Sequence, residues 1–284
     1  MNPFSDSQTS RREFIKTTGA AAIGGAMASS LLFPGRSLAA EDKILKIGLV
    51  GCGGRGSGAA KNALNAEPNV RLVAMADAFE DKLLASRDNL KKDKEVGKKV
   101  NVPDANCFVG LDAYRKLIDS DIDVVLLATP PGFRSFHLKY AVAKNKHIFC
   151  EKPICTDAFG YRSVMETVAE SRKKNLALTA GFCWRSNLAQ RAAYQKILGG
   201  DIGDIRAIYG TYNTGEARAP IIDAKFGPLE AQMRSWMHFN WLSGDHIVEQ
   251  AVHNVDLMNW AMNGKTSKPS GNRLTACNHH KVNH

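Results

Sequence analysis

An apolar run of strand length, residues 44–50, empties directly into Gly51-Cys52-Gly53-Gly54-Arg55-Gly56, and a helix-compatible stretch starts near Ser57. A second apolar run, 70–76, closes on Asp77. Strand, glycine turn, helix and an acid-terminated strand in that order constrain the chain to a βαβ unit built to seat a dinucleotide. The glycines divide the work. Gly51 permits the tight turn, Gly53 lets backbone approach a pyrophosphate, and Gly56 lets helix and strand pack closely. Gly54 and Arg55 complete the loop, and the helix N-terminus offers its free N–H groups to phosphate. Asp77 can accept hydrogen bonds from ribose hydroxyls and repels a 2′-phosphate, so NAD is expected in preference to NADP. A glycine-rich turn in an ordinary α/β protein is the competing reading, and the flanking pattern weighs against it.

The alternation continues beyond this unit. Residues 123–128 read as a buried strand ending in Thr129-Pro130-Pro131. A helix is expected over 133–144, and 147–150 form the next strand, which runs into Glu151-Lys152-Pro153. Alternating strands and helices predict a parallel, doubly wound Rossmann sheet with ligands at its carboxyl edge. Thr129-Pro130 and Glu151-Lys152 both fall at that edge by topology alone.

The first forty residues read as a targeting segment. Ser10-Arg11-Arg12-Glu13-Phe14-Ile15-Lys16 carries a paired arginine. A soft apolar stretch rich in Ala and Gly follows over 17–33, and Ser37-Leu38-Ala39 supplies small residues for cleavage. The expectation is export through the twin-arginine machinery to the periplasm. No stable membrane anchor is expected, because the stretch is too short and too glycine-rich.

The formal charge of +10 is mostly terminal. Residues 1–40 contribute +2 and the last twenty contribute +4, which leaves +4 for the body. The run from Lys91 to Lys99 interleaves Asp93 and Glu95 without aromatics and reads as a solvated helix face, so no nucleic-acid partner is expected. Six cysteines (52, 107, 150, 155, 183 and 277) show no regular spacing, and no disulfide framework is indicated. No metal site is expected either, since no CxxC or HExxH occurs and His279, His280 and His284 sit in a polar tail.

The glycine loop, Ala128-Thr129-Pro130-Pro131 with His137 after it, and Glu151-Lys152-Pro153 together resemble the glucose-fructose oxidoreductase/inositol dehydrogenase (Gfo/Idh/MocA) family. The likeness extends from about Lys43 to Gly264, and with the leader it points to the family's exported subgroup. The resemblance implies an NAD(P)-binding first domain over 41–181 and an α+β sheet domain for substrate over 182–264. That second domain ends short, and an atypical polar tail occupies 265–284. A strand over 204–212 is expected to open its sheet, through which the family suggests a homo-oligomer.

Lys152 matches the family's active-site lysine. Beside a nicotinamide cation, partly desolvated, its pKa should fall and let it shuttle a hydroxyl proton. Glu249 and His253, four residues apart on an expected helix, match the family's Asp-x-x-x-His pair. They depart from it in carrying Glu for Asp, and a capped histidine with a solvated acid is the bland rival. His253 is expected as acid/base partner, and Glu249 orients it or binds a substrate hydroxyl. Trp184 and Arg185, with Trp236, His238 and Trp241, are candidates to line a polyol pocket.

The expected activity is hydride transfer between bound NAD and a hydroxyl of a sugar or cyclitol. Two alternatives stand beside it: redox-neutral glycoside cleavage through transient oxidation with retained NAD, or a truncated nucleotide-binding protein without turnover.

Overall fold

Six parallel strands form one sheet in the order β3-β2-β1-β4-β5-β6. They span Leu45–Val50 (β1), Val70–Asp77 (β2), Cys107–Val109 (β3), Val124–Leu127 (β4), His147–Cys150 (β5) and Leu178–Ala180 (β6). The computed structural model describes residues 44–262 except 216–218 and 222. The expected leader, the tail after Gly264, Cys277 and the terminal histidines lie outside the described residues.

The order reverses direction between β1 and β4, so the loops after these two strands part and open a crevice at the carboxyl edge. Helices cover both faces. Gly54–Ala66 (α1) and Glu80–Lys92 (α2) lie on one side. There Ala60, Leu64, Leu83 and Leu90 pack on Leu49, Leu72 and Met75. Ala113–Asp119 (α3), Pro131–Ala143 (α4) and Ala158–Lys173 (α5) cover the other. There Leu117, Leu138, Ala141 and Val164 close on Val125, Leu127 and Ile148. The strands read as near-continuous apolar runs because both faces are buried.

After the sheet come Leu188–Leu198 (α6), Pro228–Arg234 (α7), the single turn Asn240–Ser243 (α8) and Val252–Ala261 (α9). The turn α8 sits on the start of α4. A Cβ on Gly132 would lie 2.4 Å from the Trp241 carbonyl oxygen, so this glycine permits the contact. Leu242, fully buried, anchors it.

Three sequence expectations are corrected. Residues 204–212 form no strand. Among the described residues no strand stands beside them to complete a hydrogen-bond ladder, and Tyr209 is 91% exposed. The helix expected from Lys91 onward stops at Lys92, because Val96 turns fully inward. Gly97 then packs where a Cβ would lie 2.3 Å from the Lys91 carbonyl oxygen. Finally, the helix carrying Glu249 opens with a π-helical turn, Ile247–Ala251, before α9 continues it.

Candidate active site

The glycine loop is held from below. Gly51 adopts φ +94°, and a Cβ there would lie 2.7 Å from the backbone of Ala128 and Thr129. A Cβ on Gly56 would lie 1.8 Å from the Gly51 carbonyl oxygen, which leaves only glycine able to seat α1 against β1. Gly53 and Gly54 behave differently: an added Cβ would meet nothing within 4 Å. They face the open crevice at the start of a 13-residue helix that has no side-chain cap. Arg55 places Nε 2.8 Å from Glu151 Oε1, which ties the loop to the end of β5.

Asp77 closes β2 beside this loop. Its carboxylate accepts the Cys52 N–H at 2.6 Å and the Phe79 N–H at 2.9 Å. Burial pushes its carboxyl up from the ordinary value, against the pull of the two amide donors. The crevice has a volume of about 740 Å³ and is lined by residues 51–57, Asp77, Thr129, Pro130 and His137. Open glycines, free helix N–H groups and a carboxylate at the next strand fit the pyrophosphate and ribose of a dinucleotide.

His137 forms part of the floor. It is buried, its Nδ1 lies 3.2 Å from Thr129 Oγ1, and its ring centroid is 4.1 Å from that of Tyr114. Burial, with Arg134 and Arg115 nearby, pulls its pKa down to about 3. The ring is therefore neutral at pH 7.

A second cluster stands beside the crevice and is not part of its lining. Lys152 Nζ donates to the Glu249 carbonyl oxygen and lies 3.2 Å from Glu249 Oε2. Both side chains are largely enclosed, at 16% and 12% exposure. Glu249 Oε1 is buried and accepts no hydrogen bond. The π-helical turn brings both the carbonyl and the carboxylate of Glu249 to the lysine; such turns commonly mark functional sites. His253, one turn on, is buried, and its ring stacks on Trp184 at 4.7 Å between centroids. Burial first, and then the Lys152 ammonium, hold its pKa below the ordinary value, while Asp256 pulls the other way.

The proposed pocket residues separate. Trp184 joins the His253 cluster. Arg185 directs its Nε to both carboxylate oxygens of Asp256, at 3.0 and 2.8 Å, and covers the Trp260 ring. Trp236 and His238 line the nucleotide crevice instead. Trp241 donates to Gln232 and meets Phe133 edge-on.

A sequence model of the Gfo/Idh/MocA family, described as an oxidoreductase family with an NAD-binding Rossmann fold, matches residues 45–182. The match takes in the whole six-stranded sheet and just under half of the chain. Inositol 2-dehydrogenase of Acidothermus cellulolyticus is 25% identical over 223 residues, covering 78% of this chain and 54% of its own. The Rhizobium meliloti inositol 2-dehydrogenase is 30% identical over 179 residues, 63% of this chain and 48% of its own. Among solved structures, scyllo-inositol dehydrogenase of Lactobacillus casei with bound NAD(H) and scyllo-inositol superposes with a TM-score of 0.52. It is 25% identical, with 77% of this chain and 56% of that one covered. The chain thus spans about half the length of the curated relatives it matches.

Several residues of this site escaped the sequence reading. Tyr212 and Phe182 complete the ring cluster around His253. Arg234 lies between the rings of Phe79 and Phe226 and forks onto Asp81 at 2.9 and 3.0 Å. Arg134 is buried on α4 beneath Glu151 and Pro153. Its signal was present: Arg134 shares the buried face of α4 with His137, Leu138 and Ala141. Arg234 lies in a stretch left unassigned and Tyr212 ends the run expected as a strand, so nothing local marked either as a site residue.

Proposed function

We propose that the protein is an NAD-dependent oxidoreductase that transfers a hydride between bound nicotinamide and a carbinol carbon of a sugar or cyclitol. The carrying observation is the Lys152–Glu249 contact beside His253, at the same sheet edge as the glycine loop. Residues 51–56 would hold the pyrophosphate, and Asp77 a ribose. Asp77 presents a carboxylate where a 2′-phosphate would bring more negative charge, which favours NAD over NADP. When bound, the nicotinamide supplies a two-electron hydride acceptor.

The protein's own groups manage the proton and the oxygen. His253, neutral at pH 7, can accept the hydroxyl proton as the carbinol is oxidised. The Lys152 ammonium stabilises negative charge growing on that oxygen, or relays its proton. Glu249 Oε1 is free to accept a hydrogen bond from a neighbouring substrate hydroxyl. Trp184 and Tyr212 hold the imidazole in place by stacking. Activity of the whole protein is tested with NAD and a panel of polyols, following absorbance of the reduced cofactor. Folded, NAD-loaded protein that stays silent across the panel refutes this reading.

A redox-neutral cycle with retained NAD is favoured by a separate observation. The segment carrying Ile221, Met233, Arg234 and Trp236 roofs the nucleotide crevice, and Arg234 fastens it to Asp81. The leader adds to this: the twin-arginine route carries folded cargo, so NAD loaded inside would travel with the protein to the periplasm. Glycoside cleavage without net cofactor reduction, abolished by stripping NAD, distinguishes this cycle from simple dehydrogenation.

A further inference from the structure

Lys152 is held at its tip by Glu249, and its backbone is held as well. Arg134 rises from α4, 4% exposed, and its Nη1 donates to the Glu151 carbonyl oxygen at 3.1 Å and to that of Pro153. These carbonyls stand immediately before and after Lys152. A single guanidinium nitrogen thus grips both flanks of one residue. Arg134 has no carboxylate in ion-pair contact among the described residues, and its Nε is buried without a partner. Its hydrogen bonds go to the loop that carries the lysine, which is unusual employment for a buried cation.

We propose that Arg134 is a positioning residue for Lys152. By pinning the carbonyls on either side it sets the direction in which the lysine side chain leaves the backbone, and so delivers Nζ to Glu249 and to the reacting oxygen. A guanidinium suits the task because its donors are rigidly spaced and it stays charged. Lysine in its place keeps the charge, but it is shorter and its ammonium rotates freely, so it lacks the fixed in-plane direction of the two Nη1 hydrogens and holds the carbonyls in a looser register. Displacing a catalytic group by about 1 Å can cost on the order of a hundredfold in rate.

The proposal rests on Lys152 serving the reaction, so its test carries a readout independent of turnover. Arg134→Lys and Arg134→Met are prepared in the full chain with NAD. The rate at which trinitrobenzenesulfonate labels Lys152 is followed across pH by peptide mass spectrometry, alongside NAD affinity. The expected result is labelling of Lys152 accelerated at least fivefold in Arg134→Lys, with its pH profile displaced and NAD affinity within about twofold of the parent. On an active substrate, kcat falls at least tenfold with KM little changed. Unaltered labelling and pH profile in a folded Arg134→Lys protein overturn the proposal. So does failure of both variants to fold, since Arg134 is then a strut of the core. Lys152→Met separates the two readings: full turnover in that variant removes the catalytic role of the lysine, while altered labelling in Arg134→Lys still reports its positioning.

Discussion

Gly53 and Gly56, three residues apart in one loop, should respond to the same substitution in opposite ways. In Gly56→Ala the new methyl would start 1.8 Å from the Gly51 carbonyl oxygen, more than an ångström inside van der Waals contact. Gly51 cannot retreat, because it is itself pressed against the backbone of Ala128 and Thr129. Overpacking of this kind costs about 1–3 kcal/mol or more. Exchanging glycine for alanine in a helix returns about 1 kcal/mol. A contact this short belongs at the upper end of that range, so the net loss is about 2 kcal/mol, or a Tm lowered by roughly 4–8 °C. In Gly53→Ala the methyl meets no protein atom, so Tm without nucleotide should stay within about 1 °C of the parent. The same methyl points into the space assigned to the pyrophosphate, and NAD should bind at least tenfold more weakly. Differential scanning fluorimetry with and without NAD, paired with calorimetric titration, reads both effects. Parental NAD affinity in Gly53→Ala would instead place the pyrophosphate away from this loop.

Lys152→Met should lower kcat by about 10²–10⁴ with NAD affinity retained, measured by steady-state kinetics and titration. His137, with a folded pKa near 3 against an ordinary 6.5, stays neutral on folding while the unfolded chain protonates. Its contribution is therefore fully present above pH 6.5 and is lost as pH falls towards 3, at about 1.4 kcal/mol per pH unit. Urea titrations from pH 7.5 to 4.5 should show that slope reduced in His137→Phe, and an unchanged slope would place the acid sensitivity in other groups. Arg234→Met removes the fork onto Asp81 and two cation–π contacts of about 0.5–1 kcal/mol each. NAD should leave about 5–30-fold faster in stopped-flow displacement, and parental release would show that the segment over the crevice does not retain the nucleotide.

The Rossmann half was legible because each of its signals is local. β1, β2, β4 and β5 are apolar runs bounded by glycine, aspartate or proline, and their order fixes the sheet edge before any contact is known. That edge put Lys152 just after the end of β5, where the structure has it. What could not be read were contacts made by residues far apart in the chain. Glu249 meets Lys152 through its backbone carbonyl as well as its carboxylate, and the carbonyl is exposed to the lysine only because a π-helical turn displaces it. Helical spacing of Glu249 and His253 foresaw a shared face but not that turn. The strand expected over 204–212 failed for the complementary reason. Its apolar residues met the local criterion, but a strand exists only with a partner ladder, and the local sequence carries no information on that partner.

The same distinction explains how residues 182–262 are held. No described strand joins them to one another, so their attachment rests on particular contacts with the Rossmann body. Trp241 and Leu242 press on Gly132, Arg234 forks onto Asp81, and the Glu249 turn caps Lys152. Two of the three involve charged groups reaching the carboxyl edge, where Asp81 follows β2 and Lys152 follows β5. Burial of the Lys152–Glu249 pair makes its loss costly from either side, since the remaining charge would be left enclosed without its counterpart. The contacts that shape the proposed reaction centre are therefore also contacts that dock the second region. Substitutions at Lys152 or Glu249 should be judged by nucleotide affinity and Tm together with turnover, because the chemistry and the docking share the same atoms.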